Sequence, residues 1–139
     1  VAKTMPFEHR MQPRLLAGGW IIDDTYNGNL EGVRAGLSLL AELDAKRKIY
    51  VTPGLVDQGD QAQTVHQEMG QLIAKTAPDQ VVLMKNSVTG WIEHGLKQGD
   101  YAGKLVIEDD PLNYYTNLDQ VIAVGDVVLM QNDWTDNYN

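Results

Sequence analysis

The chain has 139 residues, 43% hydrophobic and 22% charged, with 19 acidic against 11 basic side chains and a formal net charge of -8. That composition fits one globular domain able to bury roughly two-thirds of its unfolded surface. It excludes a membrane span, which needs an apolar run of ~20 residues, and it opposes sequence-independent binding to nucleic-acid phosphates, which needs clustered Lys and Arg. The absence of cysteine removes disulfides, a thiolate nucleophile and cysteine-ligated zinc, and suits a cytoplasmic protein.

In chain order, the opening VAKTMPFEHRMQPR has no apolar signal-peptide core, and Val1 is not a translation start. The expectation is a segment excised from a longer polypeptide. Short runs rich in Ile, Val, Leu or Met predict strands at 19–23, 48–52, 80–85, 104–108 and 126–131. Helical spacing of apolar residues predicts helices at about 30–43, 61–76, 87–98 and 113–123, with Asn29 and Ser87 as N-caps. In the first helix Val33, Leu37, Leu40 and Ala41 should face the core. Strand and helix alternate throughout, which predicts a Rossmann-like three-layer α/β/α fold around a mainly parallel sheet of about five to six strands. The acidic stretches IEDDPLNYYTNLDQ and NDWTDNYN read as solvated surface.

The stretch WIIDDTYNGNLEGVRAGLSLL at 20–40 carries most of the functional signal. A polar loop between the carboxyl end of a strand and a helix N-terminus lies where open α/β sheets bind ligands. Asp23 and Asp24 are successive residues, so in a strand they point to opposite faces and do not form a shared-proton pair. One of them could accept hydrogen bonds from ligand hydroxyls or hold a hydrated Mg²⁺; the plainer reading is one helix-capping and one solvated acid. Asn27-Gly28-Asn29 supplies residues that tolerate left-handed backbone. A guanidinium at Arg10 beside His9 can take a phosphate bidentately, although a surface arginine is the default. His66 and His94 have no Ser, Asp or second His at nucleophile or metal-ligand spacing and read as helix-surface residues. GDYAGK at 99–104 lacks the Walker A spacing and its Ser or Thr, so no triphosphate cradle is present. A phosphoacceptor reading fails because VVLMKNS places Lys85 and Asn86 where a middle strand would need Asp.

Taken together, HRM at 9–11, IIDDTYNGN at 21–29, the helix that follows and KIYVT at 48–52 resemble the C-terminal domain of the Mur ligases. These are ATP-dependent amide-forming enzymes of peptidoglycan precursor synthesis. The segment is most similar to the branch that adds D-alanyl-D-alanine to a UDP-N-acetylmuramoyl tripeptide, which reads Asp-Asp-Ser/Thr-Tyr-Asn-Ala-Asn-Pro. The resemblance implies that Arg10 reaches ATP on domain closure, that Asp24 contacts the nucleotide ribose, and that Tyr26, Asn27 and Asn29 line the same loop. It places LVDQG at 55–59, with Asp57 and Gln58, and the later His66 near a small amino-acid or dipeptide acceptor. It further implies ATP with Mg²⁺, held mostly by a central P-loop domain, and an N-terminal domain for the UDP-linked substrate, neither of which is in this sequence. No catalytic residue and no metal ligand is expected in this segment alone, which should be inactive by itself. Three departures leave the acceptor open: Leu30 for Pro, TPG at 52–54 for a Gly-Asp turn, and QNDWTDNYN for a Lys-Gly-Ser ending. A new acceptor pocket can be built beside an unchanged nucleotide loop. The rival reading is a stand-alone α/β module that binds a nucleotide or peptide without chemistry.

Overall fold

The computed structural model describes residues 12–24 and 29–132. The expectations for Arg10, Tyr26 and Asn27 and for the tail from 133 onward lie outside the described residues. Among the described residues six strands form one sheet: β1 (Gln12–Leu16), β2 (Gly19–Asp24), β3 (Arg47–Thr52), β4 (Gln80–Met84), β5 (Lys104–Glu108) and β6 (Asp126–Gln131). They lie in the order β1-β2-β6-β3-β4-β5, and all neighbours are parallel except the β1–β2 pair. Among the described residues five α-helices connect them: α1 (Leu30–Glu42), α2 (Ala62–Thr76), α3 (Thr89–Gln98), α4 (Pro111–Thr116) and α5 (Leu118–Val121).

The handedness of crossovers sorts these helices into two layers. The steps β2 to β3, β3 to β4 and β4 to β5 run one way across the sheet, so right-handed connections put α1, α2 and α3 on one face. The return from β5 to β6 runs the other way and puts α4 and α5 on the opposite face. Two apolar cores result. One packs Val33, Leu37, Met69, Ile73 and Ile92 on Ile22, Tyr50 and Leu129. The other packs Tyr114, Leu118 and Ile122 on Ile21, Val51 and Val128. Each fully buried Ile or Leu contributes roughly 1.5–3 kcal/mol. This is the expected three-layer α/β/α arrangement.

Five expectations are corrected. A further strand, β1, precedes the first predicted one and carries Pro13, which an edge strand tolerates because its N–H need not join a ladder. The predicted helix at 113–123 starts earlier, at Pro111 under an Asp110 cap, and breaks at Asn117. With Tyr114 and Leu118 buried, its segment is part of a core rather than only solvated surface. Ala41 is exposed, one position past the buried stripe that ends at Leu40. Ser87 does not cap α3. Val88 occupies that position without a side-chain bond, while Asn86 accepts from Val88 N–H and Thr89 accepts from Asn86 N–H.

Candidate functional site at the carboxyl edge of the sheet

The carboxyl ends of β2, β6 and β3 meet in a polar cluster that is sealed from solvent. Asp24 closes β2 and its side chain turns toward α1, on the same face as Ile22, with no exposure. Its Oδ2 accepts from Gln131 Nε2 at 2.8 Å, and its backbone carbonyl accepts from Asn132 N–H at 2.9 Å. Gln131 Nε2 also donates to the Gly32 carbonyl in the first turn of α1 at 2.9 Å. The Tyr50 hydroxyl, from β3, donates to Gln131 Oε1 at 2.6 Å. Burial, and then the charge of Asp24, pushes the Tyr50 hydroxyl pKa far above its usual value, so it stays a donor. Asn29 caps α1 as expected, its Oδ1 accepting from Gly32 N–H at 2.9 Å.

Asp23 faces the opposite side of the sheet, as strand alternation requires. Desolvation raises its pKa, and Arg14 on β1, at 3.9 Å, lowers it by less. Neither acid matches the plain reading of a cap and a solvated charge: Asn29 is the cap, Asp24 is buried and Asp23 is half-buried.

One strand further along, the loops after β3 and β4 flank an open cavity of about 350 Å³, with residues 53–59 on one wall and 86–88 on the other. Asp57 is the only charged side chain among the described residues lining it. Asp57 and Gly59 both have left-handed backbone, with φ of 57° and 56°, a conformation that costs a non-glycine residue roughly 1 kcal/mol. Gln58 bends back so that Nε2 donates to the Val56 carbonyl at 2.6 Å.

His66 lies beneath this loop and is fully buried, which overturns its reading as a surface residue; His94 is exposed, as expected. The His66 Nε2 accepts from Leu55 N–H at 2.9 Å, and Nδ1 lies 2.6 Å from the Ala62 carbonyl. A carbonyl only accepts, so Nδ1 carries the proton and Nε2 presents its lone pair to the loop. Gly54, with φ of 105°, passes directly over the ring. A Cβ there would lie 3.0 Å from His66 Nε2 and 2.7 Å from Val88 Cγ2. Asn86 Nδ2 ties the two walls together by donating to the Pro53 carbonyl at 2.7 Å. His66 therefore reaches the cavity through backbone rather than through its ring.

Among the described residues no group of three His, Cys, Asp or Glu side chains is placed to hold a metal, and no helix is long and apolar enough to cross a membrane. The 99–104 segment is a turn whose Tyr101 hydroxyl donates to the Pro78 carbonyl at 2.8 Å. Tyr50 and Gln131 were not singled out from sequence. Tyr50 sits in a strand that reads as plain core, and Gln131 is a polar residue at the last position of an apolar strand, which is the one signal that could have flagged it.

An open, doubly wound α/β sheet with its polar groups and cavity gathered at the carboxyl edge defines a Rossmann-like α/β domain. The profile of the family described as Mur ligase, glutamate ligase domain, matches residues 9–132, and the chain belongs to that family. It is 29% identical over 148 positions to the UDP-N-acetylmuramoyl-tripeptide--D-alanyl-D-alanine ligase of Mycobacterium leprae, covering 94% of this chain and 29% of that protein. A ligase of the same name from a Synechocystis species is 35% identical over 66 residues, covering 48% of this chain and 14% of that protein. The fold is shared with a MurF ligase from Thermotoga maritima solved in complex with ADP, at a TM-score of 0.70 and 24% identity over 94% of this chain and 28% of that one. It is shared also with MurF from Acinetobacter baumannii, at 0.68 and 21% over 88% and 26%. The chain thus spans less than a third of the length of the relatives it matches.

Proposed function

We propose that this chain is the C-terminal domain of an ATP-dependent, amide-forming ligase of cytoplasmic peptidoglycan precursor synthesis, and that it presents the incoming amine and completes the ATP site on domain closure. The observation that carries the reading is the pairing, on one sheet edge, of the Asp24 stem with the cavity around Asp57. Asp24 and Asn29 flank residues 25–28, the nucleotide loop of this reading, and the family resemblance assigns Arg10, Tyr26 and Asn27 to the same role. Asp57 is placed to draw the ammonium end of a small amino acid or of D-alanyl-D-alanine, Gln58 shapes the same wall, and His66 holds that wall in place. The cavity of about 350 Å³ has room for a molecule of that size.

The residues present fit one side of a nucleotide and not its triphosphate. No phosphate-binding glycine loop is found in the sequence, which agrees with a central domain carrying the P-loop and Mg²⁺, and an N-terminal domain carrying the UDP-linked donor. In such a ligase ATP activates the donor carboxylate as an acyl phosphate, which the amine attacks to form the amide and release phosphate. This domain's share is orientation and charge placement.

The test uses the full-length polypeptide that contains this domain, assayed for ATP-dependent phosphate release with UDP-N-acetylmuramoyl tripeptide and D-alanyl-D-alanine. Turnover that requires all three, and that falls in Arg10→Ala and Asp24→Ala while both variants stay folded, supports the reading. Wild-type turnover in both variants removes the residue assignment. Absence of ligation with any small amine acceptor removes the function.

A further inference from the structure

We infer that Gln131, oriented by Tyr50, is the positioning residue of the nucleotide side of this site; the inference rests on the proposed role of Asp24. Gln131 Nε2 has two hydrogens, and the structure gives each one an acceptor. One is Asp24 Oδ2, at the end of β2, and the other is the Gly32 carbonyl, in the first turn of α1. These acceptors stand on either side of residues 25–28 in the chain. A single amide group therefore fixes the carboxylate that precedes this segment relative to the helix start that follows it.

The amide can adopt only one orientation. Carboxylate and carbonyl oxygens accept and do not donate, so the NH₂ must face them, and the remaining oxygen faces the Tyr50 hydroxyl. Asp24, Tyr50 and Gln131 have no exposure, so water cannot substitute for a lost bond. Gly36 makes the arrangement possible: a Cβ at that position would collide with Gln131 Nε2. The helix carries glycine where the amide lies against it.

The test is steady-state kinetics of the full-length ligase with Gln131→Met, which keeps the length of the side chain and removes both donations. Losing hydrogen bonds to a charged group predicts a rise in KM for ATP of about tenfold, with kcat and the acceptor KM within about twofold of wild type. Gln131→Lys retains donors to Asp24 and Gly32, and should bring the ATP KM back toward the wild-type value. A merely structural residue would lower kcat and raise both KM values together, with no rescue by lysine, and that result overturns the inference. An unchanged ATP KM in Gln131→Met also overturns it. If Asp24→Asn nonetheless raises the ATP KM, the proposed nucleotide role of Asp24 survives alone; if Asp24→Asn has no effect either, both fall. Should Gln131→Met not fold, Tyr50→Phe removes only the hydroxyl that orients the amide. A rise in ATP KM of about threefold, with the acceptor KM unchanged, supports the inference, and an unchanged ATP KM overturns it.

Discussion

Two buried carboxylates, Asp126 and Asp24, sit at opposite edges of the same sheet, on the adjacent strands β6 and β2, and the fold treats them differently. At the amino edge Asp126 is held by charge: its Oδ2 lies 2.6 Å from Arg47 Nη2 and accepts from Ala123 N–H at 2.8 Å. The Arg47 guanidinium also donates to the Val121 carbonyl, so one ion pair closes α5 onto the start of two strands. At the carboxyl edge Asp24 is held by an amide that is itself held by a tyrosine hydroxyl. A strongly paired carboxylate is a strut. One tied by an amide to the first turn of a helix sets the frame of the chain between strand and helix, which is the preorganisation a binding edge requires.

The comparison is broken most severely by Asp126→Ala, which leaves a guanidinium without its carboxylate and a part-buried N–H without its acceptor. The expected loss is about 3 kcal/mol, moderated because the Arg47 side chain is 37% exposed and can rehydrate. Urea unfolding would measure it, and the KM values for ATP and acceptor in the full-length enzyme should not move. A shift in either KM would mean that the amino edge is not purely structural. His66→Leu comes next. It removes the acceptor of a buried Leu55 N–H at a cost of about 2 kcal/mol, and, unlike Asp126→Ala, it should raise the acceptor KM more than the ATP KM. Asp57→Gly lies at the small end for stability. Relief of the left-handed backbone and the added chain entropy of glycine offset within about 1 kcal/mol, so thermal unfolding should be nearly unchanged while acceptor affinity falls. Unchanged acceptor affinity would remove Asp57 from the site.

The layout of these edges was largely readable in the sequence, because it depends on periodicity. Five strands and the first three helices were placed within a few residues, and the Asn29 cap was found from residue type alone. Strand β1 was missed because Pro13 and two-sided exposure erase the period-2 signal. Its clue was Ala17-Gly18, a two-residue turn with φ of 52° and 85° that matches the hairpin form with both central residues left-handed. The burial of His66 was not readable, since its partners Leu55 and Ala62 offer backbone groups that any residue type would carry. The role of Gln131 was not readable for a related reason, beyond the hint of a polar residue ending an apolar strand. Its three partners come from β2, β3 and α1, which only the strand order β2-β6-β3 brings together.

Asp23 gives the finest test, because it borders the same edge as Asp24 but faces away from the amide chain. Burial raises its pKa in the folded protein, and the Arg14 guanidinium on β1 only partly offsets this. A carboxyl whose folded pKa exceeds its unfolded one binds its proton more tightly when folded. Its contribution to stability is therefore full below the unfolded pKa and is lost as pH rises through the folded pKa. At neutral pH the Asp23 charge opposes folding, whereas a carboxylate governed by its ion pair would have the opposite sign. Asp23→Asn should accordingly raise the unfolding midpoint at pH 7 by a small amount, below ~1 kcal/mol for a pair this open to water, and the difference should shrink as the pH is lowered toward 3. A variant that is less stable than wild type at pH 7 would mean that Arg14 outweighs burial, making Asp23 a second strut like Asp126.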